Sequence, residues 1–493
     1  MATVTRVVIV GGGPGGYEAA LVAAQLGAQV TLADPTGVGG SAVRTDCVPS
    51  KTLVAAAGVR TRAGAGAELG LATTGSAAVD LARVDARILR LAAAQSEDIG
   101  DRLEAAGIRV LRGRARLSNS RHPGVSAAAG GARQVVVSET AGAQTPDGGP
   151  GAAGGAPARP ATRTTLAADV VLIATGARPR SVPGRDGRPG LEPDGERILT
   201  WTQVYDLPAV PEHLVVVGSG VTGAEFASAY AGLGAQVTLV SSRDQVLPGE
   251  DTDAAALLEG VFAARGLTVL SRSRAASAVR TGNGVVVTLT DGRTVSGSHC
   301  LLAVGSVPNT EDLGLDEAGV DTDTSGHVVV DRVSRTSAGG VYAAGDCTGV
   351  LPLASVAAMQ GRIAMWHALG DAVRPLDLRQ VSATIFTEPE IATVGGPTGP
   401  DAGGMTVLLP LAGNPRAKME GIHAGFVKVY ARSGSGTVTG GAIVAPHASE
   451  LIHSLSLAVA ARLTVDQLAQ AFTVYPSLSG SVAEAARRLH HRT

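Results

Sequence analysis

Val7–Asp34 reads VVIVGGGPGGYEAALVAAQLGAQVTLAD, and Leu214–Ser241 reads LVVVGSGVTGAEFASAYAGLGAQVTLVS. The two stretches align without a gap at a constant offset, since Gly218 minus Gly11 and Ser241 minus Asp34 are both 207. Each is an apolar run, a G-x-G-x-x-G turn, an alanine-rich helix and a second apolar run ending on one polar residue. A lone G-x-G-x-x-G is weak, but between a strand and a helix, and repeated, it is specific. Gly11 and Gly218 make the tight turn, Gly13 and Gly220 let backbone approach a pyrophosphate, and Gly16 and Gly223 let helix pack on strand. Pro14, Gly15, Val221 and Thr222 complete the turns. The pyrophosphate is then expected at a helix N-terminus, where N–H groups and the dipole favour negative charge. Two intact copies imply two dinucleotides, against the simpler alternative of one site and one decayed structural duplicate.

A chain of 493 residues exceeds one hydrophobic core, and about 150 residues per domain suggests three or four domains. Hydrophobic residues make up 45% of the chain but aromatics only 3%, so Ala, Gly and Val carry the burial. A net charge of −2 gives no electrostatic case for nucleic acid or an anionic membrane surface. Cys47, Cys300 and Cys347 are too few for a disulfide scaffold and fit a reducing compartment. No apolar run approaches the ~18 residues of a span, so no membrane anchor is expected and the location is read as cytoplasmic. No metal is expected.

Helical patterns cover Thr52–Val59, Leu81–Ala106 and Ser355–Leu369; strand patterns cover Ile108–Leu111, Asp169–Thr175 and Leu301–Gly305, with a strand-to-turn element at Val341–Gly349. The glycine- and proline-rich residues 141–161 read as a flexible insertion inside a domain. The fold class is therefore α/β: two Rossmann-like domains and an α+β closing domain. The expected boundaries are 1–180, 181–305, 306–374 as a segment completing the first domain, and 375–493.

Gly39–Lys51 reads GGSAVRTDCVPSK, and ATGARP (174–179), VGSVPNT (304–310), AAGDCTG (343–349), FTEPEIATVG (386–395) and PHASELI (446–452) follow in order. Together with both fingerprints these resemble the pyridine nucleotide-disulfide oxidoreductases over nearly the whole chain. The resemblance implies FAD on the first fingerprint, NAD(P)H on the second, and a homodimer formed through the C-terminal domain. It implies that Asp34 binds the adenosine ribose of FAD and that Asp346 holds the ribityl chain, the alternative for Asp346 being a plain cap. Gly40, Ser41, Ala174, Thr175, Gly176 and Gly345 fall on the same FAD motifs. Lys51 and Glu225 are implied as a pair beside the flavin, where a cation stabilises the reduced ring. Taken alone, each is an ordinary surface charge. Val304 and Gly305 fall on the NAD(P) motif.

The chain departs from that family in two places. The redox disulfide needs C-x-x-x-x-C, but Ala42 stands at the first position and Cys47 is alone. Where the family carries a histidine base and, five residues on, a glutamate, this chain has Tyr475 and Gly480. A phenol of ordinary pKa ~10 does not take a thiol proton at neutral pH. Interchange thiol, base and orienter are all missing, which points to electrons leaving the flavin directly for a quinone or similar electrophile, as in the NAD(P)H:quinone reductase branch of the family. The competing readings are dihydrolipoamide dehydrogenase, a soluble transhydrogenase, and a flavin-binding regulator without catalysis. Cys47 is either a charge-transfer partner of flavin or a small core residue. Ser241, Ser242 and Arg243 replace the ribose-binding acid, so NADPH is expected to serve as well as NADH. Arg416, Lys418, His447 and His453 are read as surface or cap residues.

Overall fold

The computed structural model describes residues 4–71, 78–118, 133–139, 162–397 and 404–490, so the insertion expected at 141–161 lies outside the described residues. The chain forms two compact units. The first comprises residues 1–49, 89–178 and 306–376; the second comprises 50–88, 179–305 and 377–493.

In the first unit Arg6–Val10 pairs in parallel with Gln29–Asp34 on one side and with Val170–Ile173 on the other. The sheet runs Val341–Ala343, Val170–Ile173, Arg6–Val10, Gln29–Asp34 and Arg109–Ser118, all parallel, and continues antiparallel into Arg133–Glu139 and Arg163–Ala168. Its central strands are apolar on both faces, as parallel strands covered by helices must be. Helices Pro14–Gln25 and Ala354–Ala368 cross so closely that a Cβ on Gly361 would stand 2.1 Å from the Gly15 carbonyl oxygen. Only alanine- and glycine-rich faces allow that approach, which is why this composition needs few aromatics.

The second unit repeats the plan. His213–Val217 pairs with Gln236–Val240 in the same register as the first copy: Arg6 opposes Gln29 and His213 opposes Gln236, at the 207-residue offset of the sequence. Its parallel sheet runs Thr268–Leu270, Gln236–Val240, His213–Val217, His299–Leu302 and Ile198–Thr200. The C-terminal part is a five-stranded antiparallel sheet, ordered Ser382–Ile385, Glu390–Gly395, Val438–Ala445, Phe426–Arg432 and Gly404–Pro410. Helices Ala448–Ala461 and Gly480–Arg488 supply Leu455, Ala458, Val482 and Ala485 to its core.

Residues 50–88, placed with the first domain on sequence, group with the second unit. The reason is packing: Leu53, Ala57, Leu81 and Ile88 share one apolar core with Phe226, Tyr230 and Leu258. Helix and strand positions otherwise follow the sequence patterns, with helices at Cys47–Gly64 and Leu81–Ala105.

One buried ion cluster ties the nucleotide half of the second unit to its C-terminal sheet. Lys428, 6% exposed, donates to both oxygens of Asp251 at 2.8 and 2.7 Å, and Tyr430 donates to Asp251 as well. Asp251 also caps helix Thr252–Ala264, accepting from the amides of Asp253 and Ala254. Burial pushes the Asp251 carboxyl upward, but the bonds from Lys428, Tyr430 and Ala254 outweigh it and hold it below the ordinary range. The Lys428→Met protein should lose on the order of 3 kcal/mol in denaturant unfolding at neutral pH, because Asp251 is left buried without its cation. Because the folded carboxyl titrates below its unfolded value of ~3.9, this difference is fully present above that pH and shrinks as pH falls through the lower folded value.

Candidate functional site

The helix starts of both fingerprints share one feature. Gly13 caps Pro14–Gln25 and Gly220 caps Val221–Leu233, yet neither helix has a side-chain cap or an acidic residue in its first turn. By contrast, Thr252–Ala264 is capped by Asp251 and Pro415–Met419 by Asn414. A helix start of that kind leaves its first amides for a ligand. The turns themselves have no room for larger residues. Gly11 and Gly218 have φ of 107° and 110°, and a Cβ on either would lie 2.2 Å from a carbonyl oxygen, that of Ala174 or Ala303. A Cβ on Gly16 or Gly223 would lie 1.9 Å from the oxygen of Gly11 or Gly218.

In the first unit a cavity of about 830 Å³ opens at the carboxyl ends of the parallel strands, where ligands of such sheets bind. Gly11, Gly13, Pro14 and Gly15 form one wall, with Asp34 at the end of the neighbouring strand. Gly40 and Ser41 open the short helix Gly40–Arg44, and Gly40 approaches Gly13 so closely that its Cβ would stand 2.6 Å from the Gly13 Cα. Ala174, Thr175 and Gly176 follow the strand Val170–Ile173, and Gly345 and Asp346 follow Val341–Ala343. Ala42 and Cys47 line the same cavity. The first-fingerprint residues singled out on sequence are thus gathered at one site, apart from Gly16, which packs beneath the turn.

Asp34 accepts from the amides of Gly12, Thr36 and Gly37 and from the Thr36 hydroxyl, at 2.8 to 3.0 Å. Those bonds fix the carboxylate at the mouth of the turn. Burial raises the Asp346 carboxyl above the ordinary range, and the negative Asp46 adds to it. Cys347 is fully buried, its sulfur within 3.3 Å of the Ala344 oxygen, and burial pushes its thiol up to about 11. Cys300 lies in the second unit's strand His299–Leu302, where burial pushes its thiol up to about 12. None of the three cysteines is in a disulfide.

In the second unit Lys51 and Glu225 form the pair expected of them, Nζ to Oε2 at 2.9 Å. Cys47 opens the helix Cys47–Gly64, and Lys51 follows one turn on. Glu225, 4% exposed, spends its second oxygen on the Phe386 amide at 2.8 Å, while Lys51 Nζ sits 5.0 Å from the Phe386 ring centroid. Glu225 is therefore anchored, and it fixes the ammonium. Val304 and Gly305 follow the strand His299–Leu302, and the Gly305 carbonyl accepts from the Arg180 amide.

Ser241 differs from what its position implied. It is fully buried, its hydroxyl 2.7 Å from that of Ser219 and accepting from the Arg243 amide. It shapes the turn, and Ser242 and Arg243 are the residues left facing solvent. Tyr475 is gathered into neither cluster: its side chain is 82% exposed, beside the exposed Phe472 and Val474.

Sequence reasoning missed Phe386 as the anchor of Glu225. It also missed Gln360, which is buried in helix Ala354–Ala368 and accepts from the Gly345 amide at 2.9 Å. A glutamine on the mostly apolar stretch AAMQGRIAM was the available signal for Gln360. Nothing in the sequence marked the Phe386 amide, because a backbone donor has no residue code.

The comparisons with known proteins agree with this geometry. The family model described as pyridine nucleotide-disulphide oxidoreductase matches residues 5–361, and that of the same family's dimerisation domain matches 381–486. The chain is 53% identical to a Mycobacterium tuberculosis protein named NAD(P)H dehydrogenase (quinone), covering 99% of this chain and 94% of that one. It is 32% identical to the dihydrolipoyl dehydrogenase of Chlorobaculum parvum, covering 97% and 96%. The crystal structure of LpdA from Mycobacterium tuberculosis superposes with a TM-score of 0.88 at 51% identity, covering 99% of this chain and all of that one. The flavoprotein disulfide reductase RclA from Escherichia coli shares the fold at 24% identity with a TM-score of 0.80. With two glycine turns built alike and a nucleotide-sized cavity at the first, the chain belongs to the pyridine nucleotide-disulphide oxidoreductase family and is an FAD-dependent oxidoreductase of pyridine nucleotides.

Proposed function

We propose that this enzyme is an NAD(P)H:quinone reductase that hands electrons from the flavin to its acceptor without a thiol relay. The observation that carries this reading is Ala42 in the wall of the first unit's cavity, at the position where a redox disulfide needs its other sulfur. Cys47 lines the same cavity, and the engaged, buried thiols of Cys347 and Cys300 are poor substitutes for the missing partner. The loss of base and orienter at Tyr475 and Gly480 agrees, since a protein with no dithiol has no thiol proton to move. The Mycobacterium tuberculosis relative named NAD(P)H dehydrogenase (quinone), similar over 99% of this chain, supports the acceptor class.

In this reading the cavity residues hold FAD. The glycine turn at Gly13 and the helix N-terminus behind it, with the Gly15 amide, take its pyrophosphate, and Asp34, preset by three backbone amides, takes the ribose hydroxyls. Gly40, Ser41, Ala174, Thr175 and Gly176 line the cavity, and Gly345 and Asp346 take the ribityl chain. A carboxyl raised by burial, as Asp346 is, keeps a proton to donate more readily than an exposed one. The second fingerprint, Gly218 to Gly223, takes the pyrophosphate of NAD(P)H. Bound FAD supplies the two-electron carrier between nucleotide and acceptor. The contribution of the chain to that transfer is the Lys51 ammonium, fixed by Glu225 so that positive charge is in place before negative charge develops.

The exposed Phe472, Val474 and Tyr475 lie within the matched dimerisation domain and are apolar surface that a second copy of this chain covers in a homodimer. Tyr475 then has an interface role in place of the base it replaces. No helix among the described residues is long and apolar enough to cross a membrane. Three cysteines with no disulfide among them suit a reducing cytoplasm.

Steady-state assays of the purified protein should show NADPH and NADH oxidation with menadione or benzoquinone, and no reduction of NAD by dihydrolipoamide. Lipoamide turnover would mean that other groups replace Ala42 and Tyr475, and the reading fails. Glu225→Gln keeps the shape and the Phe386 bond but removes the charge that fixes Lys51. Stopped-flow bleaching of the flavin by NADPH should slow by about tenfold, ~1.4 kcal/mol of barrier. An unchanged rate removes the pair from the chemistry.

A further inference from the structure

We propose that Arg272 is a second guanidinium of the site that takes the nucleotide 2′-phosphate, acting beside Arg243, and that Asp244 is the counterion it exchanges for that phosphate. The inference rests on the reading of the second fingerprint as an NAD(P)H site and deepens its nucleotide preference.

Nothing in the spacing of the sequence connects Arg272 to the fingerprint. The connection is made by backbone. Where the parallel strands Gln236–Val240 and Thr268–Leu270 end, their chains stay hydrogen-bonded. The Ser241 amide donates to the Leu270 oxygen at 2.9 Å, the Ser273 amide to the Ser241 oxygen at 2.7 Å, and the Arg272 amide to the Arg243 oxygen at 2.8 Å. Arg272 therefore joins the exposed end of the strand where a Rossmann site selects between ribose hydroxyl and ribose phosphate.

Backbone conformation and charge support the same assignment. Arg272 has φ of 50°, a left-handed conformation that costs a residue with a Cβ and that gathers at ligand clamps. Its Nε lies 3.3 Å from Asp244 Oδ1, with the two side chains 82% and 86% exposed. Such a pair is weak in water, so a better anion displaces the carboxylate readily. A phosphate dianion brings more charge and three acceptor oxygens, and the guanidinium fork matches them. No acid stands at the end of the strand: Ser241 is where the first copy has Asp34, its hydroxyl turned inward to Ser219, so the carboxylate to be displaced is that of Asp244.

The test is calorimetric titration of the full-length holoenzyme with 2′,5′-ADP and with 5′-AMP, which differ only in the phosphate in question. Arg272→Ala should weaken 2′,5′-ADP by about tenfold or more while 5′-AMP stays within about twofold. Arg272→Gly, which relieves the left-handed backbone, should lose the same affinity and so separates loss of the guanidinium from a folding defect. Asp244→Asn should tighten 2′,5′-ADP. A ratio of the two affinities unchanged in both Arg272 variants overturns the assignment. Neither ligand carries a hydride, so absence of quinone turnover would defeat the proposed function and leave this result standing.

Discussion

A helix that begins without a capping side chain carries unsatisfied amides and about half a unit of positive charge, and each of the two glycine turns of this fold leads into such a helix. The constraint is steric before it is electrostatic. Gly16 must lie on the Gly11 carbonyl, and Gly223 on that of Gly218, for each helix to start where its strand ends. Once that contact is made, the rest follows. The helix points its open end at the carboxyl edge of a parallel sheet, neighbouring strands deliver their last residues to the same edge, and the cavity is formed from loops that never meet in sequence. Asp34, held by three amides, is part of the same economy: its bonds organise the loop that the ligand needs.

The fold keeps what binds and orients nucleotides and lacks what moves electrons between sulfurs. Ala42 and Cys47 both line the cavity, and an exposed tyrosine stands at position 475. The Lys51–Glu225 pair is present, with a buried carboxylate and a backbone donor in the Phe386 amide. A buried charge is costly unless it is paired, and Glu225 meets that cost with the Lys51 ammonium and the Phe386 amide.

Much of this was legible in the sequence, because the fold depends on glycine spacing and apolar runs that the sequence displays directly. The 207-residue repeat reappears residue for residue in strand register, and the first-fingerprint positions line one cavity. What was not legible depends on tertiary contacts. Residues 50–88 joined the second unit through Leu53, Ala57, Leu81 and Ile88, which look like any amphipathic helix residues until their partners are known. Ser241 read as a ligand-facing residue because its neighbour in the alignment is Asp34, yet a short hydroxyl finds Ser219 and turns inward. Phe386 acts through its amide and Arg272 through a backbone pairing, and neither leaves a pattern in side-chain type.

The measurement that bears most directly on the absence of a thiol relay is an anaerobic titration of the oxidised enzyme with NADPH or dithionite, followed by flavin absorbance. A site with flavin alone accepts two electrons, so one equivalent of reductant per subunit should bleach it completely, with no intermediate long-wavelength species at half reduction. Four electrons per subunit, reached in two spectral stages, would reveal a second redox centre and contradict the account.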